Sequence, residues 1–538
     1  MGEHKSSLEK RIFKASFLIL IAHGLFKLAG LIQAVVVGRF LPPGTVDIVY
    51  VIAFEGCVYT LFLIGEEVLG PAFLPVFMRE LDTRSEDSAW QLANTVLTLQ
   101  FLLLAAVASV LFFAPHTVVE LLTRWAADSS PDKYELAARS VRTMAPAVLG
   151  LSLGSTTYVL LNGYKRFFLA AFGDAVWKFC AVLFLVVGVV LSRDGAQMLM
   201  WGLVAGSVCK LATHLFGLSD KLRHFRPMLR FSHPAFKTLC LLALPLIAGI
   251  LFAKVRDRVN DNYILSAVDT SGLMQANSMG RKLQSTLLYL VPYTLSIAVF
   301  PFFCELVDKK DHINLGRLVT RFGRMLFSFF IPFAAFVAVT AVPITSLIFK
   351  GGYFDATAVQ RTAVSLSFYT FVLPAAAIEM LAMQAFFANR RMVTVTVVGV
   401  VFSMLSIVIS WIGLKVCHGH ELVLLSFIAG GFTLSRTLKC VTLVEMLKRS
   451  APVFPFVATL SFLARLALAA GAASGVSWLV LHHIGEVAEF SGRLGDLLKL
   501  GLAGSVFGGV YLVAAYGLRI TELHELFAFA LQKVRKRA

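Results

Sequence analysis

Stretches of about 20 or more mainly apolar residues recur roughly fourteen times along this chain, each long enough to cross the hydrocarbon core of a bilayer as a helix. No other feature constrains the fold as strongly. A backbone in lipid must satisfy its own hydrogen bonds, and a helix does so within one segment. The predicted centres lie near Ile21, Phe54, Leu102, Leu151, Leu183, Leu203, Ile250, Leu290, Phe330, Val372, Val400, Ile428, Leu468 and Val506. The fold class expected is an all-α polytopic membrane protein of about fourteen spans. With 58% hydrophobic residues, 15% charged and a mean hydropathy of +0.78, composition excludes a soluble globular protein.

The connecting loops are short and leave no room for a sizeable soluble domain. The longest outer loop, about Pro115 to Arg139, mixes Glu120, Asp128, Asp132 and Glu135 with Arg124 and Lys133, and reads as a solvated, helical cap. The formal charge of +17 comes from Lys and Arg gathered in alternate loops, such as Lys5, Lys10 and Arg11; Arg79 and Arg84; Lys221, Arg223, Arg226 and Arg230; and Lys448 and Arg449. By the positive-inside rule both termini are expected in the cytoplasm, and no nucleic-acid partner is implied. The polar start, Met1 to Lys10, and the long first span argue against a cleaved signal peptide. Seven cysteines without C-x-x-C spacing read as packing residues.

An internal repeat gives the organisation. Gly24-Leu-Phe-Lys27 is echoed by Ile250-Leu-Phe-Ala-Lys254, Phe73-Leu-Pro-Val-Phe77 by Val299-Phe-Pro-Phe-Phe303, Met144-Ala-Pro146 by Val372-Leu-Pro374, and Asn162-Gly-Tyr-Lys-Arg166 by Asn389-Arg-Arg391. All four pairs are offset by roughly 225 to 228 residues. Six spans per repeat is an even number, so the two halves share one orientation, an arrangement used by transporters with a site between lobes. The expected parts are an N-lobe (1–230), a C-lobe (231–450), two added spans (451–518) and a basic amphipathic tail (519–538) that rests on anionic headgroups.

Cations inside the apolar spans point to the chemistry. Lys27 lies near the middle of the first span, Lys254, Arg256 and Arg258 late in the seventh, and Arg281 early in the eighth. An intramembrane cation is expensive and faces a wet interior, so the substrate is expected to be an anion. Bland alternatives accompany each: Arg281 is close enough to a boundary to snorkel, and Lys254 to Asp261 reads equally as a self-neutralising helix end. Asp174 and Lys178 form an i, i+4 pair expected to be an internal salt bridge. Cys417-His-Gly-His420 lacks a full ligand set, so no metal is expected, and no cofactor.

Gly65-Glu-Glu-Val-Leu-Gly-Pro-Ala-Phe-Leu-Pro-Val-Phe77 resembles the A-E-G-x-x-x-x-A-F-V-P signature of the MurJ/MviN lipid II flippases, members of the multidrug/oligosaccharidyl-lipid/polysaccharide exporter superfamily. Gly38-Arg39-Phe40 before Asp47, Arg281 about twenty residues before Phe300-Pro301, Phe349-Lys-Gly-Gly-Tyr-Phe354 and Phe387-Ala-Asn-Arg390 follow in the same order. The resemblance covers about Phe13 to Ser410. It implies a flippase that carries an undecaprenyl-pyrophosphate-linked peptidoglycan precursor across the bacterial cytoplasmic membrane by alternating access, with membrane lipids and cell-wall synthesis proteins as partners. It also implies a pyrophosphate cavity lined by Lys27 and Arg281, with gating or structural polar roles for Arg39, Asp47, Glu66 and Gln284, and a lipid-tail groove on the last two spans. Arg256, Arg258 and Lys254 are added candidates.

Three departures bear on the substrate: Gln33 stands at a first-span arginine position, Leu61 and Phe62 at a second-span arginine pair, and Gln284 where an acid follows Arg281. A flippase for another lipid-linked glycan, of the O-antigen or exopolysaccharide kind, is the alternative. A multidrug exporter fits less well, because it would line its cavity with acids and aromatics. A Walker A motif is impossible without a Gly-Lys dipeptide, and no cluster of acids or histidines marks an enzyme site, so the chain is not expected to be an enzyme.

Overall fold

The structure is a computed structural model and describes residues 28–191, 194–290, 292–389, 391–487, 492–520 and 522. Lys27, Arg390, most of the first span and the basic tail beyond 522 lie outside the described residues. The chain divides into two compact units, Met1–Gln275 and Ala276–Ala538.

In the first unit, α1 (Leu28–Phe40) and α2 (Pro43–Thr83) precede α3 (Glu86–Phe113), the short α4 (Pro115–Leu122), α5 (Pro131–Met144), α6 (Ala147–Gly163), α7 (Phe167–Val190), α8 (Gly195–Gly217) and α9 (Pro234–Ala267). The second unit takes in most of α10 (Leu273–Leu290), then α11 (Pro292–Asp308), α12 (His312–Val339), α13 (Ala341–Phe349), α14 (Ala356–Thr370), α15 (Val372–Ala388), α16 (Met392–Val416), α17 (Glu421–Lys448), α18 (Phe456–Val487) and α19 (Gly492–Gly517). Among the described residues ten helical runs are long and apolar enough to span a membrane, or twelve when the bent pairs α5–α6 and α14–α15 each count as one. These twelve coincide with twelve of the predicted centres. Ile21 lies outside the described residues, and Leu290 is the last residue of α10, beside the undescribed residue 291.

The sequence repeat is a structural one. Helices α3 to α8 recur in order as α12 to α17, with Glu86 against His312 (226 residues apart) and Phe167 against Met392 (225). Even the bends recur: α5 meets α6 at 46° beside Pro146, and α14 meets α15 at 40° beside Pro374. Proline has no N–H to donate, which loosens the helix where it changes direction. The Asn162–Arg166 and Asn389–Arg391 echoes are matching helix stops. The amides of Arg166 and Arg391 donate back five residues, to the carbonyls of Leu161 at 2.8 Å and Phe386 at 2.9 Å. Starts are matched too: the Ser85 hydroxyl accepts from the Ser88 amide at 3.1 Å, and the Asp311 carboxylate from the Asn314 amide at 3.1 Å.

Each unit packs its own interior. In the first, Phe73, Phe77, Trp90, Leu160 and Leu161 are buried together; in the second, Phe303, Phe330, Leu373, Phe386 and Phe454. A further cluster joins α18 to α19 through Leu466, Ala473, Phe507 and Tyr511. Many outward apolar side chains, such as Leu103, Val190, Phe216 and Val513, are exposed, as lipid-facing surfaces require. The predicted outer cap is helical in α4 and α5, where Tyr134 donates to Glu120 at 2.6 Å. All seven cysteines are free.

Candidate functional site

The first unit holds three of the candidate cations near the end of the α-helical part of α9. Lys254 Nζ lies 2.7 Å from Glu67 Oε1, and Arg256 Nη2 2.6 Å from its neighbour Asp257. Arg258 Nη2 lies 3.7 Å from Asp261, one turn on. Arg258 differs from the other two: its Nε and Nη1 are sealed from solvent and have no hydrogen-bond acceptor. Both polar side-chain atoms of Asn262 are in the same state. These two side chains approach α2 at Gly56, where an added Cβ would stand 2.7 Å from Asn262 Nδ2 and 3.9 Å from Arg258 Nη1. Buried donors left unmade cost about 1–3 kcal/mol each.

The remaining candidates lie on α1, α2 and α10. Asp47 is buried, with Oδ2 accepting from the Gly272 amide at 2.6 Å and Oδ1 from the Gln275 amide at 2.7 Å. It caps the start of α10, where the helix dipole favours a carboxylate. Arg39 and Glu66 are half-buried on α1 and α2. Gln33, at the substituted arginine position, is buried, and its Nε2 has no partner; Gln284 on α10 is in the same condition. Arg281, also on α10 in the second unit, stacks 5.0 Å above the Phe432 ring, a ring that Arg436 also approaches, at 5.9 Å.

The family model for the lipid II flippase MurJ matches residues 43–491. The chain belongs to the MurJ lipid II flippase family. A probable lipid II flippase MurJ of Synechocystis sp. is 25% identical over 366 residues, 65% of this chain and 67% of that protein. The lipid II flippase MurJ of Burkholderia cenocepacia is 23% identical over 352 residues, 64% and 67% of the two chains. In fold, the chain is similar to a lipid II flippase MurJ solved in an inward closed conformation, with a TM-score of 0.71 at 18% identity over 94% of this chain and 99% of that one. It is also similar to an inward-facing multidrug resistance MATE family transporter of the MOP superfamily, with a TM-score of 0.65 at 11% identity over 79% and 95%.

Within this MurJ-family framework the repeat exposes charges that reading single spans misses. In the first unit Asp174 on α7 pairs with Lys210 on α8 at 2.6 Å, both side chains almost fully buried. Gly154 on α6 lets the lysine stem pass, since a Cβ there would stand 2.7 Å from Lys210 Cε. In the second unit Glu379 on α15 meets Arg436 Nε and Lys439 Nζ on α17, each at 2.7 Å. Shifting by the repeat interval superposes Lys210 on Arg436, Gly154 on Glu379 and Asp174 on Gly399. The base keeps its helix while the acid and the glycine exchange theirs. Each three-helix packet keeps one acid against the base on its last helix, and either of the other two helices can supply it. The interval itself is the signal that would have located Arg436 from Lys210 in the sequence; Glu379 falls opposite Gly154, so the interval does not mark it.

Proposed function

We propose that this chain moves an undecaprenyl-pyrophosphate-linked peptidoglycan precursor between the leaflets of a bacterial cytoplasmic membrane, and that it breaks no bond in doing so. The observation that carries the proposal is the MurJ-family match over residues 43–491. The cations described above supply its chemistry. A pyrophosphate is a dense anion with several acceptor oxygens, which suits the paired donors of Arg256, Arg258 and Arg281 and the compact charges of Lys254 and Lys27.

The pairing of these cations suggests how binding and release are balanced. Lys254, Arg256 and Arg258 each have a carboxylate within 4 Å, so the site is not left with uncompensated charge between substrates. On substrate arrival the phosphate oxygens take the place of Asp261 on Arg258 or of Glu67 on Lys254. On release the carboxylates return. Alternating access of the two repeat halves moves the headgroup along a wet path, avoiding the several kcal/mol per polar group that lipid would impose.

In this reading both termini are cytoplasmic and cell-wall synthesis proteins are the partners. The test is complementation of a bacterium depleted of its own lipid II flippase. Restored growth and wall synthesis are expected. Failure at normal abundance, with rescue of a strain lacking an O-antigen or exopolysaccharide flippase, would reassign the substrate, an outcome that Gln33 and Gln284 at charged family positions make worth testing.

A further inference from the structure

The start of α12 carries Arg317, Arg321 and Arg324, spaced so that all three guanidinium groups share one helix face. With Pro452, Pro455 and Glu522 they line a cavity of about 450 Å³ that contains none of the residues assigned to the pyrophosphate. Among the described residues the lining holds three arginines and the carboxylate of Glu522. Arg324 Nη1 reaches Glu522 Oε1 at 3.3 Å, long for a charged pair, and its guanidinium lies 5.3 Å above the Phe462 ring. Arg324 Nε is sealed from solvent and has no acceptor. Arg317 is exposed, and its Nη1 donates to Asn314 at 2.8 Å.

The cavity is also amphipathic. Directly after Pro455, Phe456, Val457 and Leu460 on α18 are 71%, 78% and 56% exposed, and Ile313 on α12 is 62% exposed. A basic pocket next to unpartnered apolar side chains, at the ends of two spans, has the chemistry of an interfacial lipid site. We propose that it binds the phosphate of an anionic membrane lipid, with the headgroup on Arg317, Arg321 and Arg324 and the acyl chains along Phe456, Val457 and Leu460. The exposed part of the Arg324 guanidinium faces this phosphate, and a soluble phosphate would leave the apolar wall uncovered.

The test is native mass spectrometry of the purified full chain titrated with phosphatidylglycerol, phosphatidylcholine or inorganic phosphate. One phosphatidylglycerol should be held roughly tenfold or more tighter than phosphatidylcholine, and R317Q/R321Q should lose that preference, because each lost charge-assisted contact is worth about tenfold. Millimolar inorganic phosphate should not displace the lipid; displacement would overturn the lipid assignment in favour of a soluble phosphate. Equal retention by wild type and R317Q/R321Q would overturn the site. If the double variant melts lower than wild type, the single R317Q at an exposed position decides: a several-fold weakening supports the proposal, and unchanged retention refutes it.

Discussion

Replacing Glu379 by glutamine should remove the central charge of the second unit's interior while keeping its shape. The carboxylate accepts from Arg436 Nε and lies against Lys439 Nζ, both at 2.7 Å, and is only 3% exposed. At an effective dielectric of about 20, each contact is worth about 6 kcal/mol before the carboxylate's own desolvation is set against it. Neutralising one partner of such a buried set leaves the others uncompensated and costs about 3–5 kcal/mol. Arg436 and Lys439 are 24% and 19% exposed, which places the expected loss at the lower end, about 3 kcal/mol. For a unit of this size that is a fall in Tm of roughly 6–12 °C, read by thermal unfolding of the purified chain. The repeat supplies the control. A Cβ at Gly399 would lie 3.5 Å from Lys439 Nζ, so Glu379→Gln combined with Gly399→Asp moves the acid to the helix that carries it in the first unit. More than half of the loss should return. A single-variant shift below about 2 °C, or a double variant no better than the single, would refute the idea that one interior acid on either helix satisfies the packet.

Arg258→Gln should lower flipping about tenfold or more in the complementation assay while Tm stays near the wild-type value, because losing the 3.7 Å contact to Asp261 and removing two donors with no acceptor act in opposite directions; a lower Tm with full activity would make Arg258 structural. Asp220 is held down to about 2 by Arg166, whose Nη1 and Nη2 donate to its two oxygens at 2.6 and 2.7 Å. A depressed carboxyl contributes stability above its unfolded value that is lost as pH falls through the folded one, so Asp220→Asn should lower Tm at neutral pH, with the difference shrinking below about pH 4 and gone below about pH 2. A difference that persists at the lower pH would assign the loss to packing.

Several features were legible from residue order alone. Apolar runs of bilayer length located twelve of the fourteen centres, because the hydrophobic period of a lipid-exposed helix needs no tertiary partner. The proline echoes Met144-Ala-Pro146 and Val372-Leu-Pro374, read in the sequence only as a repeat, lie at the two bent pairs, where a missing N–H acts locally. The candidate site was only half legible. Lys254, Arg256 and Arg258 were visible as charges in an apolar run, but their partners Glu67, Asp257 and Asp261 include one 187 residues away.

The sequence by itself determined that this is a membrane protein of repeated helices, that its interior carries cations, and, through ordered motifs, that it resembles the lipid II flippases. Each rests on the local cost of placing a group in lipid or on spacing along the chain. Tertiary structure alone decided which cations are neutralised and which keep open donors. Arg256 and Arg258 are two residues apart, yet one is paired with its neighbour and the other presents Nε and Nη1 to a buried corner beside Gly56. It also decided that Asp47 caps α10 and that Lys210 neutralises Asp174. Charge interactions fall off within a few ångströms in a packed interior, so the local pairs Arg256–Asp257 and Arg258–Asp261 were within reach of the sequence, whereas Glu67 against Lys254 and Lys210 against Asp174 depend on which helix faces which.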